Sequence, residues 1–239
     1  DITQEKTLEH AFDGVDLVFH IAGIIHPQKI SELYDINDRG TANVLKASLA
    51  AGVKKVVYVS SNSVAGTNFQ RDVLLKEEDA PRPYLNYGLS KLRAENTVKE
   101  YQASGKMQTV IVRPCWFYGP NQPLRQTTFF KMIKQGNPII FGDGNNLRSM
   151  SYVDNICEAL LLVSGNDRAN GQTYWIADER PYSCNEIYRT VAEILGVKNY
   201  KPRHVPSFVS QMCFGVDVCL QSVGMYVKEI HVAGEMNKD

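Results

Sequence analysis

GTANVLKASLAAGVKKVVYVSS, residues 40–61, decides the fold class. Its first half carries Val44, Leu45 and Leu49 in helical rhythm and stops at Gly52, a residue suited to the turn that ends a helix. Its second half, KKVVYVS at 54–60, is a β-rich run too short for a helix. Upstream, the helical pattern reaches back through Ile36 and Leu33 to Ser31. Before it, DLVFHI at 16–21 is a second short apolar run, suited to a strand buried on both faces and ending in Ala22-Gly23. Strand, helix, strand in this spacing marks a right-handed crossover between parallel strands. The unit repeats downstream with a helix over 84–104 and a strand at 108–113, QTVIVR. The predicted class is α/β with a parallel sheet.

Beyond Pro114 the elements shorten, punctuated by Gly, Pro and Asn: a helix near 127–135, a strand at 138–141, a helix over 154–163, a strand at 173–176 and a helix over 184–195 ending at Gly196. The expected division is a first domain over 1–113 and a smaller lobe over 114–239, with about 149–165 packing back on the first. At 44% hydrophobic and 22% charged, the composition excludes disorder. The charges balance, 26 basic against 26 acidic, so no net field favours nucleic acid or an anionic membrane. Five cysteines with no C-x-x-C make neither a disulfide framework nor a zinc site, and a reducing, cytoplasmic setting is expected. No metal is expected. The apolar-leaning segment 205–230 is interrupted by Gln211, Asp217, Gln221 and Lys228, so no stable membrane insertion is expected.

In an open parallel sheet, ligands bind beyond the carboxyl ends of the strands. There the chain has Ile21-Ala22-Gly23, Ser60-Ser61-Asn62-Ser63 and Arg113-Pro114. One such end is an ordinary turn; three together point to a binding edge. Tyr87 and Lys91 stand four apart, on one helix face, in a helix that follows the serine-rich strand end. A surface pair is the plain alternative. A free phenol titrates near 10, so a tyrosine base at neutral pH needs roughly 4 kcal/mol of help, much of which a nearby ammonium supplies. With Ser61 hydrogen-bonded to the same substrate oxygen, the trio suits oxidation of an alcohol.

The strings VDLVFHIAG at 15–23, Asn37, GTANVLKASLAAGVKKVVYVSS at 40–61, SVAG at 63–66, YGLSK at 87–91, RPCWFYGP at 113–120 and GDGNNLRSMSYVDNICEAL at 142–160 together resemble the extended short-chain dehydrogenase/reductase family, the NAD-dependent epimerase/dehydratase group. The resemblance implies a Rossmann-like dinucleotide domain over 1–113 and a substrate lobe over 114–239. It implies Tyr87 as catalytic base, Lys91 on the nicotinamide ribose and Ser61 as the partner of the substrate oxygen. Asp1 and Ile2 resemble the pair that meets the adenine. Ala22, Gly23, Asn37, Ser60 and Pro114 would line the NAD or NADP site, and Asn62 would face the substrate. The glycine-rich phosphate turn of the family does not occur, and an N-terminally truncated first βαβ unit is expected. Gly142-x-Gly144 reads as a plain turn, because position 147 is Leu.

Ser61 is followed by Asn62-Ser63, where the family's dehydratases carry an Asp-Glu pair, which argues against elimination of water. Arg148 resembles the position that binds a substrate phosphate in nucleotide-sugar enzymes, a task suited to a planar cationic fork. A small-molecule substrate, a nucleotide-linked sugar, is the expectation. Two alternatives stand beside it. Ala65 stands where many sugar enzymes of the family have Tyr, the run HVPSFVSQMCFGVDVCL resembles the apolar C-terminal region of 3β-hydroxysteroid dehydrogenase relatives, and a non-catalytic binding protein on the same fold is the third reading. The helices over 31–52 and 84–104 are the expected surface of a homodimer.

Overall fold

The computed structural model describes residues 1–68 and 73–238 of the chain. Two compact units are distinguished. One consists of Asp1–Thr67, Leu75–Cys115 and Asp154–Ile176; the other is built on Trp116–Val153 and the chain from Ala177 onward.

In the first unit, β1 (Leu17–His20) leads by a loop into a helical stretch that changes pitch twice: α1 (Ile30–Leu33), a π-helical segment Tyr34–Arg39, then α2 (Gly40–Ala50). Gly52 follows at φ +78°, a left-handed conformation open to it because it has no Cβ. β2 (Lys55–Val59), α3 (Leu85–Ala103) and β3 (Gln108–Pro114) form the next crossover. The strands pair in parallel, Leu17 opposite Lys55 and Lys55 opposite Gln108. Parallel strands covered on both faces read as continuous apolar runs, and Val56, Val57, Val110, Ile111 and Val112 are all buried. Leu45 of α2 and Ala94 and Val98 of α3 pack with Val56, Tyr58 and Ile111 in one cluster.

The chain then enters the second unit with β4 (Trp116–Tyr118), α4 (Leu124–Lys134), β5 (Ile139–Phe141), β6 (Leu147–Arg148) and β7 (Met150–Tyr152). It returns to the first for α5 (Val153–Ser164) and β8 (Thr173–Ile176). β8 joins β3 in parallel, Ile111 opposite Thr173, giving the sheet order β1-β2-β3-β8. TYWI therefore leaves the C-terminal lobe in which the sequence reading placed it. A short apolar run announces a strand, but its partner is chosen by long-range packing against the open edge of β3.

The remaining elements are β9 (Tyr182–Ser183), α6 (Cys184–Ile194), β10 (Arg203–Val205), α7 (Ser207–Ser222) and α8 (Lys228–Glu235). β4 pairs with β7, β5 with β10 and β6 with β9. The core of this unit is Ile133, Ile140, Ile187, Tyr188 and Ala192. α7 has its polarity reversed: Ser210, Asp217 and Gln221 are buried, while Phe208, Met212, Val216 and Val218 face solvent. Gly142 and Gly144 both adopt positive φ, +72° and +74°, as in a turn. Among the described residues no helix is long and apolar enough to cross a membrane, and no cluster of His, Cys, Asp and Glu could hold a metal ion.

Candidate active site

Ser60 follows β2, its backbone N–H donating to Val112 O at 2.7 Å. Ser61 is extended and caps a short turn over Asn62–Val64: its Oγ accepts from the Ser63 N–H at 3.2 Å and lies 3.3 Å from Asn62 Oδ1. α3 is docked on this turn. The Tyr84 N–H donates to Ser63 O at 2.8 Å, and a Cβ on Gly88 would come within 2.3 Å of that oxygen. Only glycine permits so close an approach. The contact seats the first turn of α3, which carries Tyr87, on the Ser61–Ser63 turn.

One turn along α3, Lys91 is 4% exposed. Its Nζ donates to Val59 O at 2.9 Å and stands 4.4 Å above the Tyr58 ring. Burial pulls the ammonium down to about 7, against the opposing pull of Glu95. Tyr58 lies wholly inside the core, and burial, then the neighbouring Tyr87, push its phenol well up, so it stays neutral.

The loop after β1 meets the same edge. Asn37, carried on the π-helical segment, is fully buried. Its Oδ1 accepts from the Ile24 N–H at 2.8 Å, while its Nδ2 donates to Ile24 O at 2.9 Å and to Ser90 Oγ at 3.1 Å. Ser90 in turn donates to Tyr87 O at 2.8 Å, so one amide ties the β1 loop to the helix that bears the phenol. A Cβ on Gly23 would stand 3.1 Å from Asn37 Oδ1 and 3.9 Å from Lys91 Nζ, and Ala22 and Gly23 are both exposed. Beside the buried ammonium there is thus an exposed strip of small residues, Ala22 and Gly23. His20 Nε2 is 2.9 Å from Thr41 Oγ1. Thr41 gives its single proton to Asn37 O at 2.6 Å, so the Nε2 carries the proton of that contact. Burial, then Lys91, hold His20 down at about 4 and keep it neutral.

Ser60, Ser61, Tyr87, Lys91, Ala22, Gly23 and Asn37 thus gather in the first unit at the carboxyl edge of the sheet. Pro114 closes β3 opposite Ile176. Asp1 holds the Thr3 N–H at 2.9 Å, and Ile2 packs against the core cluster. Arg148 lies in the second unit, where its guanidinium donates to Glu235 O. Sequence reasoning missed His20, Tyr58 and a buried ion pair in which Arg113 donates to Glu95 from Nε at 2.8 Å and Nη2 at 2.6 Å. A signal existed for each: a polar residue inside an apolar run, and Glu95 four positions beyond Lys91.

Uncharacterized protein y4nL of Sinorhizobium fredii is 42% identical over 93% of this chain and 64% of its own length. The UDP-glucose 4-epimerase of Vibrio cholerae is 28% identical over 80% of this chain and 61% of its own. The chain thus spans less than two thirds of either relative. A double mutant of the dTDP-glucose 4,6-dehydratase DesIV from Streptomyces venezuelae, solved with NAD and DAU bound, superposes with a TM-score of 0.77 at 26% identity, over 86% of this chain and 65% of that one. The model of the 3-beta hydroxysteroid dehydrogenase/isomerase family matches residues 1–207, and the chain, with its Rossmann-like α/β sheet, belongs to that family within the extended short-chain dehydrogenases/reductases.

Proposed function

We propose that the protein is an NAD(P)-dependent oxidoreductase or epimerase acting on a secondary hydroxyl, with Tyr87 as base, Lys91 as its electrostatic partner and Ser61 on the substrate oxygen. The observation that carries this reading is Lys91 buried one turn from Tyr87, on the edge where the strip at Ala22 and Gly23 lies open. That strip fits the nicotinamide end of a dinucleotide: a flat ring and ribose need a floor of small residues and a donor at its rim. Lys91 and Tyr87 would hold the ribose, with Gly23 beneath. A bound nicotinamide would supply the acceptor for a hydride from the carbinol carbon. Tyr87 takes the hydroxyl proton as the C–H bond breaks, and the Lys91 charge favours the phenolate that does so. Ser61 donates to the same oxygen as it becomes a carbonyl.

A nucleotide-linked sugar is our first substrate class, supported by the Vibrio epimerase and the DesIV superposition. A 3β-hydroxysteroid is the second, supported by the family match and by the outward apolar face of α7. Hydride transfer followed at 340 nm, with UDP- or dTDP-sugars and with 3β-hydroxysteroids, tests both. Tyr87→Phe is expected to lower kcat by about 100-fold or more with little change in cofactor KM. Undiminished turnover in that variant refutes the reading. Arg148→Ala raises KM for the sugar nucleotides if Arg148 serves a phosphate. Steroid turnover indifferent to it, without sugar activity, selects the second class.

A further inference from the structure

Tyr87, Lys91 and Glu95 follow each other at four-residue steps along one face of α3. Glu95 is fully buried and held at both oxygens by Arg113 of β3, whose guanidinium lies 5.3 Å from the Trp175 ring. Taken alone, the pair would be a staple between helix and strand. It is not alone: a second buried cation, Lys91, stands one turn back on the same face of α3, and the half-exposed Lys99 is 3.9 Å from the carboxylate. An arginine keeps its proton in any protein environment, whereas a buried lysine readily gives one up. The charge that depends on Glu95 is therefore that of Lys91.

We propose that Glu95, clamped by Arg113, is a positioning residue of the site: the buried counter-charge that keeps Lys91 cationic beside Tyr87. This rests on the roles proposed for Tyr87 and Lys91. The other titratable groups around Lys91 cannot substitute: His20 on β1 and Tyr58 on β2 are neutral, and Tyr87 is the group being served. Burial already brings Lys91 to about 7, with Glu95 opposing it, so loss of one carboxylate tips the balance at physiological pH. The contact of Nζ with Val59 O needs only an N–H, and a neutral Lys91 would keep it. Glu95 therefore governs charge rather than place.

The test is the titration of Lys91 by the 13Cε signal, assigned with Lys91→Arg, in wild type and in Glu95→Gln. The midpoint is expected to fall by about one pH unit or more in Glu95→Gln and to return in Glu95→Asp. Glu95→Gln leaves Arg113 buried without its counter-charge and could fail to fold. The double variant Glu95→Gln/Arg113→Met is read against Arg113→Met, so that the two differ only in the carboxylate, and Lys91 is again expected to titrate lower in the double variant. A midpoint within about 0.3 unit of its reference in either folded comparison overturns the proposal. In turnover, Glu95→Gln should move the acid limb of kcat/KM to higher pH. A shifted midpoint with an unmoved pH profile supports the counter-charge and overturns the base role of Tyr87. An unmoved midpoint, with turnover abolished by Tyr87→Phe, overturns the counter-charge and leaves the proposed function standing.

Discussion

Raising the pH from 6.5 to 9 should loosen the second unit by removing a proton from His231. This imidazole of α8 is 4% exposed. Its Nδ1 lies 2.8 Å from Asp217 Oδ2 and its Nε2 3.4 Å from Glu235 Oε1, while Gln221 Nε2 donates to both Asp217 oxygens at 3.0 Å. Burial alone would lower its pKa. The hydrogen bonds to Asp217 and Glu235 and the two negative charges outweigh burial and raise it from 6.5 to about 9. At 1.36 kcal/mol per unit, that difference amounts to about 3 kcal/mol. Because the folded value is the higher one, the contribution is complete below pH 6.5 and disappears as pH rises through 9. Lys91, lowered from 10.5 to about 7, acts with the opposite sign: between those values its contribution grows with pH. The two are separable, because Lys91 belongs to the first unit and the two tryptophans divide between the units, Trp116 in the second and Trp175 in the first. In a Trp175→Phe background, Trp116 fluorescence reports urea unfolding of the second unit. The stability difference between His231 and His231→Gln is expected to shrink by about 3 kcal/mol between pH 6.5 and 9.5. A difference that stays flat across that window refutes the assignment of a charged, clamped His231.

Two further outcomes follow from the first unit. Gly88→Ala pushes a methyl group into Ser63 O and is expected to cost about 1–3 kcal/mol or more, read from Trp175 fluorescence in urea, with turnover falling alongside. Unchanged stability would mean that α3 does not sit against the Ser61–Ser63 turn. Asn37→Ala strips partners from Ile24 N, Ile24 O and Ser90 Oγ, at a cost of roughly 3 kcal/mol by the same measurement. A loss below about 0.5 kcal/mol would show that the amide is not what ties the β1 loop to α3.

The sheet was legible wherever packing repeats a local pattern. DLVFHI, KKVVYVS and QTVIVR became β1, β2 and β3 because a strand covered on both faces needs only apolar side chains, which composition shows directly. α7 was not legible, for a physical reason: its inner face is Ser210, Asp217 and Gln221, so the apolar residues that should mark a core stripe mark the solvent side instead. The segment read as an interrupted apolar run rather than a helix. Strands β4 and β7, three residues each, are shorter than any period can reveal. At the site, Tyr87 and Lys91 were visible through their spacing on one helix. His20, Tyr58, Glu95 and Arg113 entered only with the fold, because their meaning lies in partners 18 to 38 residues away in sequence: Arg113 from Glu95, Thr41 from His20, Tyr58 from His20.

The π-helical segment over Tyr34–Arg39 has a consequence for how the chain tolerates changes of length. Successive residues of an α-helix are turned by about 100°, so removing one from α2 would swing all that precedes it around the axis and carry Leu33 out of the core. A π turn already holds one residue more than the α-helix it replaces. A deletion there would restore ordinary pitch and leave both flanks in phase. That segment is where the helix can lose a residue and still pack, and it is also where Asn37 is aimed at Ile24 and Ser90. A shortened chain would then fold with its loop untied from its phenol, and a gap at this point in a relative would mark divergence of the site rather than of the fold.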